Sequence, residues 1–451
     1  MYPDYDVVKI ESIKDLICLM DSEYSSLTAF VSADREWSFA DFIEQTLRIS
    51  SSLQKLPQKK VQILLKDQVN FASLYLATVA VCKVALLGEF GLDISDDVLV
   101  ITDENFSEYI DSVPCTISDL PTPNTEALCT ILHSSGTSSK PKGIMLSQKN
   151  ICSVAVGALQ KYYVEQGTKI INIVPYYHVF GLVCNLICPL LKGVTIYLVE
   201  DKNLFFLKMA QIKPDLLNVP PVIAEAILKL IKKTGSVEMI TGGRLKKILC
   251  GGAGLKAEVA VELRKYGIYA YGCYGLTECA AGVAISRDNQ YKDGSAGIIF
   301  DCNEVSIADD GEILVRGSTV MLGYYNDLAA TEKAIVDGVL HTGDLGYIDE
   351  DGFLFVTGRK SNLIVFDNGT KCCPEPLEEK IIANTSAEEV IVYKSKNERP
   401  TLSAKIYISA KEGEDAVKSY IKENLTDYQF DLIEFTSEPL PRNANGKIRR
   451  I

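Results

Sequence analysis

The chain has 451 residues, of which 47% are hydrophobic and 23% charged, and its formal net charge is −13. That length implies two or three globular domains, and the composition excludes disordered and fibrous classes. An acidic chain repels phosphate in its mean field, which excludes nucleic acid and anionic lipid as broad partners; a phosphate compound must be held by local donors.

In chain order, the N-terminus (MYPDYDVVKIE) has no basic stretch leading into an apolar one, so no signal peptide is read and a cytoplasmic protein is expected. Residues 37–55 space their apolar positions as a surface helix does, with Ser38 and Asp41 near its start. VQILL (61–65) reads as a buried strand. The most apolar stretch runs from Phe71 to Gly88; Lys83 interrupts it, and a buried core helix is expected there, not a transmembrane segment. INIVP (171–175) is strand-like, GLVCNLICPLLKG (181–193) helical and TIYLVE (195–200) strand-like. LLNVP (216–220) precedes a helix through Ala224–Lys233, and KKILCGGAG (246–254) is a strand running into glycines. This alternation predicts an α/β fold with mostly parallel sheets. After about residue 283, short strands joined by D-D-G and D-E-D-G turns predict antiparallel hairpins. After Arg359, PLEEKIIA and EDAVKSYIKENL predict two amphipathic helices in a small α+β terminal domain. The 13 cysteines are scattered without a C-x-x-C, and with only three histidines a zinc site is not expected; the thiols read as reduced.

Four segments carry chemistry. HSSGTSSKPKGIMLS (133–147) is a loop of small hydroxyl residues, glycines and lysines that suits a polyphosphate, though it lacks the Walker pattern and, alone, describes any surface loop. In YGCYGLTECAAG (271–282), Tyr274 suits stacking on a purine, Thr277 a phosphate contact and Glu278 an Mg²⁺ ion. In HTGDLGYIDEDGFLFVTGRK (341–360), Asp344 suits two ribose hydroxyls and Arg359 the same sugar or a phosphate. PRNANGKIRRI (441–451) ends the chain on a glycine-flanked lysine that would otherwise pass as a frayed tail.

In this order and spacing, the four segments resemble the acyl-adenylate-forming superfamily of acyl-CoA synthetases, peptide-synthetase adenylation domains and beetle luciferases, from about Trp37 to Ile451. The resemblance implies a large N-terminal α/β domain (1–358) with mostly parallel sheets and a small β-barrel-like region, then a small mobile α+β domain (359–451). It implies that Ser134, Ser135, Gly136, Thr137, Ser138, Ser139 and Lys142 hold the ATP phosphates, with Thr137 and Glu278 toward Mg²⁺. Gly251, Gly252 and Ala253 would lie along the adenine and acyl group, with Gly272 on the acyl side. Tyr274 and Gly275 would meet the adenine, Thr277 the α-phosphate, and Asp344 and Arg359 the ribose, with Val356 nearby. Lys447 would bridge the carboxylate and the α-phosphate, offsetting the repulsion of two anions brought together. In PYYHVFGL (175–182), His178 would stand at the carboxylate end of the acyl pocket. Ser361 would be the hinge, and the hairpin near Gly369 would open the thiol channel. The family often has glycine where Ser139 stands, and Asp or Lys where Ser361 stands.

The wording of these motifs is most similar to fatty-acyl and medium-chain members. The reaction implied is activation of a carboxylic acid by ATP to acyl-AMP and pyrophosphate, then transfer to CoA. Because the chain stops just after Lys447, no fused carrier domain is expected, and a separate acyl carrier protein is the alternative acceptor. A basic patch of Arg442, Lys447, Arg449 and Arg450 suits either. The remaining alternative is an impaired homologue that only binds nucleotide or acyl ligand, favoured by Ser139 and Ser361 alone.

Overall fold

The computed structural model describes residues 4–88, 97–133, 142–366, 371–395, 401–409, 411–442 and 448. The chain forms two compact units, one of residues 1–305, 315–340 and 349–354, the other of residues 306–314, 341–348 and 355–451.

The first unit is built on alternating strands and helices. Strands Tyr269–Tyr274, Lys247–Cys250, Leu216–Val219, Lys169–Asn172, Thr195–Leu198 and Thr28–Val31 are successive parallel neighbours. Both faces are covered, so these strands read as continuous apolar runs. One face (Ile171, Leu217, Val219, Ile248, Cys250) packs on Phe205, Met209, Ile227, Ile231 and Leu263 of the helices beneath it. The C-terminal ends of the parallel strands deliver the candidate residues: His178 follows Asn172, Gly251 follows Cys250, and Thr277 and Glu278 follow Tyr274. In open α/β sheets that edge is where ligands bind. The second sheet of this unit runs in the order Gly323–Tyr324, Gly143–Ser147, Leu128–His133, Val84–Leu87, Lys60–Leu64, Val98–Thr102.

Local signals explain the element ends. Helix Phe39–Gln54 starts at Ser38, whose hydroxyl accepts from the Asp41 N–H (3.0 Å) while Asp41 accepts from the Ser38 N–H (3.0 Å), a reciprocal cap. The apolar run Phe71–Gly88 is not one helix. Helix Gln68–Ala80 stops there, Cys82 turns back at φ 60°, and Val84–Leu87 pairs as a strand. Lys83 marks the break, its ammonium donating to the Leu56 carbonyl (2.8 Å), so the cation sits on the connection and not inside a helix. The helix expected over 181–193 is interrupted by a π turn at Val183–Ile187. Asn218 Nδ2 donates to the Cys184 carbonyl inside that turn (2.7 Å), an inserted side chain of the kind that widens a helix.

Strands Asn303–Ile307, Glu312–Gly317, Val339–Ile348 and Phe353–Arg359 follow one another in an open order, and no closed barrel forms among the described residues, against the barrel-like region expected. Within the second unit, strands Glu389–Lys394, Leu402–Tyr407 and Phe430–Thr436 form a sheet packed by helices Pro374–Asn384 and Glu414–Asn424, with Ile381, Val390, Ala404, Val417 and Ile421 in its core. No helix among the described residues is long and apolar enough to cross a membrane.

Candidate active site

The first unit gathers a cluster around the turn after strand Tyr269–Tyr274. Gly275 has no room for a side chain, since a Cβ there would lie 1.9 Å from the Ala281 carbonyl oxygen. The chain folds back at once, with Ala280 and Ala281 at φ 47° and 86° and the Val283 N–H donating to the Tyr274 carbonyl (2.8 Å). This tight loop presents Thr277 and Glu278 on a one-turn 3₁₀ helix that follows the buried Tyr274. Glu278 is then oriented by a residue the motif reading missed: the Tyr324 hydroxyl donates to its Oε1 (3.0 Å). Lys142 places its ammonium 4.5 Å from the Tyr324 ring centre. A lysine, a tyrosine and a carboxylate are thus linked in one row. The only sequence signal for Tyr324 was a Gly-Tyr-Tyr run (323–325) with no spacing rule attached.

Gly251 and Gly252 play different parts. The Phe180 ring lies on Gly251 so closely that a Cβ would meet it at 2.3 Å. Gly252 holds φ +80° with nothing within 4 Å, an open stretch of backbone that a ligand can approach. Gly272 is pressed against the Ser295 carbonyl, 2.9 Å from where its Cβ would be. His178 opens the short helix Val179–Leu182, its ring tilted against Tyr177 (ring centres 4.7 Å apart). Its ring reaches solvent, yet the protein mass around it, and then the Lys202 ammonium, push the imidazole below its ordinary range. The imidazole is therefore largely neutral at pH 7, a form that can donate or accept a hydrogen bond.

Below this edge a narrow, largely apolar void lies between the sheet and its covering helices, lined among others by Leu159, Tyr162, Cys184, Cys188, Asn218 and Leu249. Cys188 and Cys273 are pushed up to about 12 by burial, and Cys184 and Cys250 are raised further, so these thiols stay protonated.

In the second unit, Asp344 is buried at 4% exposure and pairs with Arg359 (Oδ1 to Nε, 2.7 Å). Thr342 fixes that strand, accepting from the Asp344 N–H (3.1 Å) and donating to the Ile313 carbonyl (2.7 Å). Glu312, another residue the motifs did not reveal, accepts from the Gly343 N–H (2.8 Å) and from Lys360 (2.8 Å). Burial pushes the Glu312 carboxyl up, but these donors outweigh it and hold it below its usual range. Val356 is exposed on the same stretch, and Ser361 is exposed with its hydroxyl toward Asn362 (3.4 Å). Arg442, named in the basic patch, is paired with Glu389. Ser134, Ser135, Gly136, Thr137, Ser138, Ser139, Gly369, Lys447, Arg449 and Arg450 lie outside the described residues.

The residues present fit an adenosine phosphate with a hard cation. Tyr324 takes one oxygen of Glu278 and leaves the other for a metal. No group of three or more metal-binding side chains occurs among the described residues, so the remaining ligands of an Mg²⁺ ion would be phosphate oxygens and water. The family model described as AMP-binding enzyme matches residues 81–325, which hold every one of the first unit's candidate residues. The chain belongs to the AMP-binding enzyme family. Among relatives of this AMP-binding enzyme, a 2-succinylbenzoate–CoA ligase of Listeria innocua is 30% identical over 348 residues, 76% of this chain and 72% of its own. The fold of this chain is similar to that of an anthranilate CoA ligase solved with anthranoyl-AMP (TM-score 0.84, 19% identity, 99% of this chain and 96% of that one). It is similar also to the o-succinylbenzoate CoA synthetase of Bacillus subtilis solved with ATP and magnesium (TM-score 0.79, 22% identity, 96% and 98%).

Proposed function

We propose that this AMP-binding enzyme is an acid–thiol ligase that converts a carboxylic acid and ATP to an acyl-adenylate and pyrophosphate, then passes the acyl group to CoA. The observation that carries this reading is the Tyr274–Gly282 turn, which sets a tyrosine-oriented carboxylate at the C-terminal edge of a parallel sheet whose neighbouring strand, Lys247–Cys250, runs into the open backbone of Gly252. Glu278 would hold Mg²⁺, which supplies charge neutralisation of the departing pyrophosphate. Tyr274 stacks the adenine, Thr277 donates to the α-phosphate, and the Asp344–Arg359 pair binds the ribose hydroxyls. No general base is required, because the attacking carboxylate is already ionised at neutral pH. Lys447, from the terminal domain beginning near residue 359, offsets the charge that builds as carboxylate and phosphate meet, and Ser361 and Gly369 serve the second half-reaction.

The acid is an aromatic one, a reading supported by the 2-succinylbenzoate and anthranilate ligases among the similar proteins. A fatty or medium-chain acid is the second reading, favoured by the apolar walls of the void beneath His178's helix. The test is pyrophosphate release across aromatic and aliphatic acids, with and without CoA. An aromatic acid should turn over in a CoA-dependent way, and Lys447→Ala should lower adenylation by about 100–1000-fold while keeping ATP binding. Retention of a tenth of the wild-type exchange would remove Lys447 from its role, and release that ignores CoA would point to a carrier protein.

A further inference from the structure

The void offers more than apolar contact. Two of its lining residues keep buried polar atoms without a hydrogen-bond partner, the Tyr162 hydroxyl and Asn218 Oδ1, in side chains 3% and 6% exposed. The orientation of Asn218 is fixed by its neighbour. The Cys184 carbonyl can only accept, so the amide nitrogen faces it (2.7 Å) and the oxygen is left over. A strand position on this face otherwise carries Ile170, Leu216 or Leu249, so an asparagine here is costly unless its oxygen finds a donor.

The walls belong to the elements that carry the candidate active site. Cys184 and Cys188 lie on the helical stretch that His178 opens, and Leu249 is two residues before Gly251. We propose that the void receives the far end of the acid, and that this end carries a neutral donor, a hydroxyl or an amide, read by Asn218 Oδ1 and Tyr162. This rests on the acid–thiol ligase reading. A plain hydrocarbon end would leave both polar atoms unsatisfied. A second carboxylate would enter without a cation to meet it, since the nearby Lys247 ammonium is committed to Asp288 (2.7 Å) and the Tyr163 carbonyl (2.9 Å). The narrowness of the void suits a few heavy atoms, the tip of a substrate.

The test uses three acids of one skeleton ending in methyl, hydroxyl or carboxylate, with KM and kcat taken from pyrophosphate release. The hydroxyl-ended acid should have the lowest KM. Tyr162→Phe should raise that KM about tenfold with kcat held and leave the methyl-ended acid unchanged. Ala158→Leu, which fills the void, should raise KM for all three and spare a truncated acid that lacks the tail. Equal KM values for the three ends, or a Tyr162→Phe variant that changes thermal stability alone, would show an internal water satisfying these groups and overturn the assignment. Silence with every acid would overturn the ligase reading and this one with it, so the two failures are told apart.

Discussion

Glu278 owes its orientation to a residue 46 positions away, Tyr324, and the ring of that tyrosine in turn meets Lys142. For the Mg²⁺ role proposed for Glu278, having one carboxylate oxygen already tied is a gain, because less rotamer freedom is lost on binding. Tyr324→Phe keeps the ring and its contact with Lys142 but removes the donor. It should raise the Mg²⁺ concentration for half-maximal pyrophosphate release about tenfold, the scale of one hydrogen bond to a charged group. An unchanged Mg²⁺ titration would remove Tyr324 from the metal's support. This residue was invisible in sequence because the link joins two sheets, whereas Thr277 and Glu278 announced themselves by adjacency. Asp344 and Arg359 stand 15 positions apart but were legible because one segment holds both, on strands joined by a D-E-D-G turn.

At the scale of elements, the turn after Tyr274 depends on the absence of one methyl group. Gly275→Ala would push a Cβ into the Ala281 carbonyl, and neither partner can yield, since both are backbone in a closed loop. The substitution should cost about 1–3 kcal/mol in denaturant unfolding and displace Glu278, with ATP no longer raising the melting temperature. Wild-type stability together with a retained ATP shift would show that the loop relaxes. Alternating apolar runs made the strands and most helices readable, as in Lys247–Cys250 and Phe39–Gln54. Periodicity failed where a tertiary partner intervened. The Val183–Ile187 π turn follows from Asn218 on a distant strand, and the Phe71–Gly88 run splits because Lys83 finds carbonyls at Leu56 and Gln58. An apolar string alone does not report either partner.

Across the whole molecule, the N-terminal segment is tied to residues far along the chain. Asp4 meets Lys161 (2.9 Å) and Arg287 (2.9 Å), cations that are 5% and 2% exposed, and Lys161 also meets Asp301 (2.6 Å). Burial pushes the Asp4 carboxyl up, but the hydrogen bond and charge of Lys161, with Arg287, outweigh it and hold it below its ordinary range. A lowered folded value means that this cluster stabilises above the unfolded carboxyl's pKa of about 3.9 and loses that contribution as pH falls through the folded value. Asp4→Asn should therefore lower stability at pH 7 by about 1–3 kcal/mol, and the gap to wild type should close in acid. A gap that persists at pH 2 would mean the asparagine acts through packing.

On the proposed reaction, activated acyl groups form in a protein that carries several thiols of its own. Burial raises the thiols of Cys184, Cys188, Cys250 and Cys273, so almost none is present as thiolate at neutral pH. Cys273 precedes Tyr274, the residue proposed to stack the adenine, on the same strand, and a thiolate with access to a mixed anhydride would capture it in a dead covalent adduct. Protonation by burial would then protect the protein from acylating itself and leave the incoming thiol of the proposed second half-reaction to meet the activated carbonyl.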